Sequence, residues 1–135
     1  MWLYPEEFDP ENYQGFVYKI TNLDTGQYYI GKKFFWKLIK RPPLKGKKRR
    51  RIEKVESDWR LYWSSCNELA EDLKVLGEDK FKREILLLCE SKWQCAYQEA
   101  RLQFEHKVLE DPTSYNGIIN IRLRKFLKKE KNGED

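Results

Sequence analysis

The strongest constraint on the fold is a pair of strand-like segments separated by a short run of turn formers. Residues 15–21 (GFVYKIT) and 27–30 (QYYI) are rich in β-branched and aromatic side chains, which favour pleated sheet. Residues 22–26 (NLDTG) between them are rich in the residues that form turns. The pattern predicts a β-hairpin whose loop is longer than the minimal two residues.

A helix and a further strand are expected downstream. Ser65 and Glu68 fit a capping box, and leucines follow at helical spacing, so a helix should begin at Ser64 or Ser65 and stop at Gly77. Residues 81–89 end in an unbroken apolar run, which is typical of a strand covered on both faces.

A second helix is expected over residues 92–109, with Asp111 and Pro112 closing it. Its predicted apolar stripe consists of Trp93, Tyr97, Ala100, Phe104 and Val108. On a different face of this helix, Glu99, Gln103 and His106 line up.

The other segments are less regular. Residues 34–40 predict a short helix that Pro42 and Pro43 end, because a residue before proline avoids helical dihedrals. Residues 41–58 are predicted to form a basic loop or insertion, and residues 118–123 a last strand or edge segment.

These elements predict a small single domain of the α/β (α+β-like) class. Its sheet is expected to have three strands, mixed or antiparallel, flanked by helices. The 135 residues, 40% of them apolar, suffice for one core and exclude two large domains. We expect an N-terminal arm over residues 1–14, the domain over residues 15–123 and a polar tail over residues 124–135.

Positive charge is concentrated in one segment of the chain. Residues 32–54 hold twelve basic residues and one acid, Glu53, a local charge of +11 in a chain whose net charge is +5. Opposite a phosphodiester backbone each Lys or Arg releases a condensed counterion, so nucleic acid is the leading partner. On composition alone, a solvated loop, a localisation tag or a surface for anionic lipid together stay about as good an explanation. The candidate phosphate-binding residues are Lys32, Lys33, Lys40, Lys45, Lys47, Lys48, Arg49, Arg50 and Arg51.

Several classes of function lack their usual motifs. Neither GxxxxGK[ST] nor GxGxxG nor HExxH occurs, which argues against P-loop, dinucleotide and thermolysin-like zinc chemistry. Cys66, Cys89 and Cys95 have no paired spacing, which favours reduced thiols over a disulfide framework. Because no apolar stretch approaches the roughly 18 residues of a membrane span, we expect no membrane partner and a cytoplasmic location.

An ordered set of short motifs runs through the predicted elements. In chain order they are Phe16-Val17-Tyr18, Tyr29-Ile30-Gly31-Lys32, Ser64-Ser65, Leu76-Gly77, Phe81 with Ile85-Leu86, Glu99, and Tyr115-Asn116. In this order, over about residues 15–121, the chain resembles the GIY-YIG nuclease superfamily, and its phage homing-endonuclease branch in particular. The resemblance implies a small α/β domain of GIY-YIG type.

The resemblance also implies a function and a set of site residues. It implies a metal-dependent endonuclease that hydrolyses phosphodiester bonds in DNA, most simply double-stranded DNA, encoded by a phage or mobile element and acting in the host-cell cytoplasm. Glu99 would be the sole protein ligand of Mg²⁺ or Mn²⁺, which suits magnesium's preference for one or two carboxylates. Tyr18 would act as general base or orient the attacking water, and Tyr29 would position the nucleophile or the phosphate. Asn116 would hold the active-site backbone or bind phosphate.

Two departures from the family pattern affect this reading. Phe16 replaces the usual first glycine of the first motif, unless Gly15 is that glycine shifted by one position. The arginine that the family carries after the second motif falls here at Ile39, so Arg41 is the candidate for stabilising charge on the phosphate. The alternatives are Lys40, Arg60 and residues 49–51.

The departures leave a second functional hypothesis open. The same scaffold could serve as a catalytically inactive nucleic-acid-binding module. A structural or inhibitory protein that grips an acidic partner through the basic segment is a third hypothesis. An enzyme needs Tyr18, Tyr29, Glu99 and a cation around one cleft, whereas a binding module needs only an exposed basic surface.

Overall fold

The fold is a small α+β domain built around a mixed sheet, as predicted. In the computed structural model, which describes residues 1–126, six strands and two α-helices follow one another along those residues. They are β1 (Trp2–Leu3), β2 (Gly15–Asn22), β3 (Tyr28–Phe34), β4 (Trp36–Arg41), β5 (Arg51–Glu56), α1 (Asn67–Leu76), β6 (Phe81–Cys89) and α2 (Lys92–Glu105). Most of the predicted polar tail, residues 127–135, lies outside the described residues.

The predicted β-hairpin is confirmed. Strands β2 and β3 pair antiparallel, with Tyr18 opposite Gly31 and Ile20 opposite Tyr29. The side-chain oxygen of Asn22 accepts hydrogen bonds from the two backbone N–H groups that open the turn, those of Asp24 and Thr25. Asparagine is favoured in turns because its short side chain forms such local bonds.

The main sheet has four strands, where three were predicted. Its order is β1-β6-β2-β3, and the extra strand comes from the segment that was expected to be an irregular arm. Trp2 pairs parallel with Arg83, and the Trp2 ring lies 5.0 Å from that of Phe16. A strand of two residues is too short to be recognised from a sequence pattern. The packing of Trp2 on Phe16 explains why it forms.

The prediction for residues 34–58 is confirmed only for residues 42–50, which form a loop. Residues 36–41, expected to be helical, form β4, and the expected basic loop contains β5. The two strands form a separate two-stranded sheet, which we call the basic hairpin (residues 36–56). The pairing joins residues up to 20 positions apart, so no local window of sequence reveals it.

The first helix is shorter than expected. It begins at Asn67, with Cys66 and not Ser65 at the N-cap position. Cys66 makes no side-chain cap bond, and the predicted capping box therefore does not form. The predicted stop is confirmed, since the Gly77 N–H bonds the carbonyl of Leu73 and Gly77 has a φ of +88°.

Only part of the apolar stripe predicted for the second helix is buried, namely Ala100 and Val108. Tyr97 and Phe104 are 45% and 57% exposed, while Cys95, Ala100 and Gln103 face the sheet. Trp93 and Tyr97 instead stack on each other, and Phe126 packs on Trp93. This contact with the end of the described chain could not be foreseen from the period of the helix.

The segment after α2 is irregular rather than a strand. Residues 118–123 form no strand, and the neighbouring Ser114 makes an isolated parallel bridge with Tyr28. Cys66, Cys89 and Cys95 are free thiols, as expected. Among the described residues, neither helix has the length and apolarity needed to cross a membrane.

Candidate active site

Two tyrosines from neighbouring strands meet on one face of the sheet. Tyr18 lies on β2 and Tyr29 on β3, and their ring centroids are 6.2 Å apart. Alternation along β3 places Tyr29 and Gly31 on this same face. Tyr18 is only 1% exposed, so its hydroxyl is fixed by the surrounding core.

Gly31 is required by the packing of these two rings. A Cβ atom at this position would lie 2.6 Å from the Tyr18 hydroxyl and 2.8 Å from Cε2 of Tyr29. Real Cβ atoms essentially never approach other atoms this closely. The glycine of the second motif therefore makes room for the first motif's tyrosine.

Ser64 and Tyr62 complete the phenol cluster. The Ser64 side chain lies close enough to both phenols to lower their pKa values somewhat, its hydroxyl oxygen accepts from the Cys66 N–H at 3.1 Å, and the Tyr62 ring packs edge-on 6.0 Å from Tyr18. Ser64 has a φ of 81°, a left-handed conformation that costs free energy for a non-glycine residue. Sequence reasoning treated Ser64 only as a helix start, although its place in the ordered motif set was a usable signal.

Both site phenols are unusually weak acids. Burial raises the pKa of Tyr18 well above its ordinary value, and neighbouring Tyr62 adds to the effect. Burial also raises the pKa of Tyr29 to about 12, with the negative charge of Glu99 as the next cause. Both hydroxyls are therefore protonated at neutral pH and can donate hydrogen bonds.

Glu99 borders the same strand from its other face. Its carboxylate, 15% exposed, lies 3.1 Å from the ammonium of Lys32, which follows Gly31 and points toward α2. Because β3 is the last strand of the sheet, the carboxylate and the phenols flank one edge. The charge of Glu99 reaches across that edge, since it raises the pKa of Tyr29.

Asn116 holds the backbone of β3. Its amide oxygen accepts from the Ile30 N–H at 3.0 Å, and its amide nitrogen donates to the Ile30 carbonyl at 2.9 Å. Gln103 donates to the same carbonyl at 2.9 Å. Asn116 is 7% exposed, so these bonds occupy its side chain and the free strand edge is closed. Sequence reasoning missed the part played by Gln103.

Lys33 supplies a cation on the phenol face. Its ammonium lies 4.1 Å from the Tyr62 ring centroid and 2.7 Å from the carboxylate of Asp58. The hydrogen bond from Lys33 is the main cause that lowers the pKa of Asp58 below its ordinary value. Lys33 is thus held beside the phenol cluster by an aromatic ring and a counter-ion.

Arg41 lies elsewhere. It occupies the last pair of the basic hairpin, opposite Arg51, and its guanidinium bonds Glu53 at 2.6 Å. The expected position at a helix end was wrong because residues 36–41 form a strand that leads away from β3. Of the alternatives, Arg60 is paired with Glu56 at 2.8 Å.

The remaining basic residues project into solvent on the basic hairpin. Those expected to bind phosphate are all exposed there: Lys40, Lys45, Lys47, Lys48, Arg49, Arg50 and Arg51. Lys32 is separate from them and lines a cleft of about 460 Å³ with Arg122 and Asn120. The positive charge therefore has two locations, one at the site edge and one on the basic hairpin.

The donor set near Glu99 is compatible with one kind of metal site. Residues 1–126 contain no group of three or more His, Cys, Asp and Glu side chains that could hold a metal ion. A cation at Glu99 would take one protein carboxylate, with waters and substrate oxygens as its other ligands, an arrangement that Mg²⁺ accepts. The ion would replace the Lys32 ammonium as partner of the carboxylate.

Comparison with known proteins places this geometry in a family. The family model described as "Putative endonuclease segE, GIY-YIG domain" matches residues 2–119. No curated protein and no solved structure gives a significant match. The matched range begins in β1, includes the whole basic hairpin and ends just after Asn116. The chain belongs to the segE family of GIY-YIG endonuclease domains.

Proposed function

We propose that the chain is a metal-dependent endonuclease that hydrolyses phosphodiester bonds in double-stranded DNA. The observation that carries the proposal is the pair of phenols, Tyr18 and Tyr29, whose rings lie 6.2 Å apart at the sheet edge that Glu99 flanks from the other face of β3. The order of the motifs supports a phage or mobile element as its source and the host-cell cytoplasm as its place of action.

The phenols would orient the reactants through hydrogen bonds. Because their pKa values are raised, Tyr18 and Tyr29 keep their protons at neutral pH, and each would donate a hydrogen bond to a water molecule or a phosphate oxygen. A role for Tyr18 as general base needs a cation close enough to lower its pKa. The Lys33 ammonium, 4.1 Å from the Tyr62 ring centroid, is one such group on this face.

Lys33 would stabilise the charge that develops on the phosphate, the role that the sequence assigned to Arg41. Its ammonium borders the phenol cluster, whereas the Arg41 guanidinium is paired with Glu53 on the basic hairpin. A fixed cation at this place stabilises a transition state because it needs no reorganisation during the reaction.

Glu99 would hold Mg²⁺ or Mn²⁺. A bound ion would supply positive charge at the phosphate and lower the pKa of a water molecule. Lys32, released from the carboxylate, would then face the substrate phosphate in the cleft that it lines with Arg122. Asn116 would keep Tyr29 and Gly31 in place through the Ile30 backbone.

The alternative is a nucleic-acid-binding module without catalysis. Two observations favour it: Lys32 already occupies the Glu99 carboxylate, and fully buried Phe16 stands where the first motif usually has glycine. In this case the basic hairpin would be the functional part of the molecule.

Plasmid cleavage distinguishes the two. The purified protein is incubated with supercoiled plasmid in Mg²⁺, in Mn²⁺ and in chelator, and nicked and linear products are measured. The proposal expects products in a metal and none in chelator. Absence of cleavage in both metals across several DNA substrates, with binding retained, would favour the binding module.

A pair of variants on one helix tests the metal ligand. Glu99→Gln should lower the cleavage rate by more than about 10³-fold, because it removes the negative charge but keeps the shape. Binding in chelator should be equal or tighter, since repulsion toward phosphate is removed. Glu105→Gln is the control, because Glu105 is exposed on the same helix and paired with Arg101. Full cleavage by a folded Glu99→Gln protein would eliminate the metal role.

A further inference from the structure

The basic hairpin stands apart from the main sheet. Its strands form six antiparallel pairs, from Trp36 opposite Glu56 to Arg41 opposite Arg51. Its base is anchored, because the Trp36 indole N–H donates to the carbonyls of Pro10 and Tyr13. Six residues in extended conformation span about 20 Å, so its tip reaches well beyond this anchor.

The two faces of the basic hairpin differ. One face carries Ile39 and Val55, which are half-buried. On the opposite face Leu38 and Ile52 are 64% and 68% exposed. Because Leu38 is paired with Lys54 and Lys40 with Ile52, the two apolar side chains are diagonal neighbours with a lysine beside each. We call this face, residues 38, 40, 52 and 54, the open face.

Both acidic groups of the basic hairpin are paired with arginines, and the one on the same side as the open face, Glu56, lies at the base opposite Trp36. Glu53 bonds Arg41 at 2.6 Å on the other face, and Glu56 at the base bonds Arg60 at 2.8 Å. The loop at residues 42–50 adds five basic residues and no acid. A binding partner that meets the open face and the loop therefore meets positive charge around an apolar pair.

We propose that the basic hairpin enters the major groove of duplex DNA as a two-stranded ribbon, with Leu38 and Ile52 against the base edges. This inference rests on the proposed function. The major groove, about 12 Å wide, admits a two-stranded ribbon, and its base edges include one apolar group, the thymine methyl. Lys40 and the basic loop then meet the flanking phosphates.

The apolar pair distinguishes this arrangement from a purely electrostatic one. A hairpin lying along the outside of the duplex would use its cations only and leave Leu38 and Ile52 in water. Lys54 does not reach outward, because its ammonium lies 4.3 Å from the Trp36 ring centroid. The centre of the open face is therefore apolar, and contact with base edges removes it from water.

The test compares duplexes that differ only in the thymine methyl. Two duplexes of one sequence, with thymine or with deoxyuridine, are titrated with the unmodified protein in chelator. The proposal expects roughly 3- to 10-fold tighter binding of the thymine duplex, because methyl contacts are lost with uracil. Equal affinities would overturn it, and this arm requires no mutation.

Matched variants locate the preference. Leu38→Gln with Ile52→Gln replaces both apolar side chains by polar ones without a methyl group and should abolish the thymine preference while leaving the salt dependence unchanged. The control is Leu23→Gln with Val75→Gln, since those side chains are 57% and 81% exposed elsewhere on the domain. A preference retained by the folded hairpin variant, or lost equally by the control, would overturn the proposal.

Three further outcomes are distinguishable. A dimer in sedimentation velocity that the hairpin variant abolishes would assign the open face to a second copy of the chain and overturn the proposal. Metal-dependent plasmid cleavage without thymine preference would leave the proposed endonuclease intact and overturn this inference alone. Thymine preference without cleavage would support the inference and contradict the proposed endonuclease activity.

Discussion

Strand β3 and the basic hairpin follow each other in the chain, yet they are held in opposite ways. Strand β3 pairs with β2 along one edge, and Asn116 and Gln103 close the other edge at Ile30, which is fully buried. Within residues 1–126 the two strands of the basic hairpin pair only with each other, and Leu38 is 64% exposed. Groups that react need fixed geometry, whereas groups that bind a polyanion tolerate movement.

The difference predicts separate stabilities. A two-stranded hairpin without a covered face is marginally stable in water, and this one is anchored chiefly at Trp36. We therefore expect the basic hairpin to open locally without unfolding of the main sheet. Substitutions in the two regions should then affect different measurements.

The largest difference is expected between two glycines. Gly31→Ala should lower the free energy of unfolding by about 3 kcal/mol and abolish cleavage, because its Cβ would collide with the Tyr18 hydroxyl. Gly46→Ala, in the hairpin loop, meets no atom within 4 Å but has a φ of +83°, and should cost about 1 kcal/mol locally. Urea unfolding and plasmid nicking measure both effects. Equal losses in the two variants would contradict the comparison.

The second comparison is between two cations. Lys33→Gln should lower the cleavage rate by about 10²-fold, because it removes the charge beside the phenol cluster. Arg41→Gln should lower it by less than about threefold, because an exposed ion pair on the basic hairpin contributes little. Single-turnover cleavage at saturating enzyme separates these effects from binding. A larger loss of cleavage rate in the Arg41 variant would show that Arg41, and not Lys33, stabilises the charge on the phosphate.

The third prediction sharpens the binding role of the basic hairpin. Replacing Arg49, Arg50 and Arg51 with alanine should weaken binding of all DNA sequences and reduce the slope of log K against log salt by up to about 0.9 per lost phosphate contact. Thermal unfolding should be nearly unchanged, since these side chains are exposed. An unchanged salt slope would contradict a role in DNA binding and favour a role in localisation or protein binding for this segment.

The smallest effect concerns high pH. Burial raises the folded-state pKa of Tyr29 to about 12, above the ordinary value of 10.0, so its protonated form stabilises the fold. That stability is fully present below pH 10 and is lost as the pH rises toward 12. Urea unfolding at pH 9 and pH 11 should show a loss of about 1 kcal/mol from Tyr29.

A phenylalanine variant provides the control for this pH effect. Tyr29→Phe removes the titrating group and should reduce the loss between pH 9 and pH 11. The basic hairpin contains no tyrosine, so deletion of residues 42–50 should leave the loss unchanged. An identical pH dependence in Tyr29→Phe and unmodified protein would contradict the assignment.

Local patterns were sufficient for several parts of the fold. The hairpin of β2 and β3, strand β6 and the stop of α1 at Gly77 followed from residues that are neighbours in sequence, since propensity and turn chemistry act over short distances. The two-residue alternation on β3 also explains why Tyr29 and Gly31 share a face.

Other parts depended on contacts between distant residues. The strand β1 exists because Trp2 packs on Phe16, and β4 is a strand because residues up to Glu56 pair with it. Neither the basic charge of residues 32–54, nor the two prolines, nor the nearby aromatic residues indicated that these two segments pair. The face of α2 that is buried was likewise set by packing against the sheet.

The amino-acid sequence determined which groups the site contains: two tyrosines at strand spacing, a glycine and a carboxylate further on. Folding alone determined their surroundings. Asn116 bonds Ile30 across 86 residues, Ser64 adopts a left-handed backbone conformation, and Arg41 lies on a strand that leads away from the site. The physical reason is that spacing specifies the order of side chains along an element, whereas burial and hydrogen-bond partners depend on which distant elements pack together.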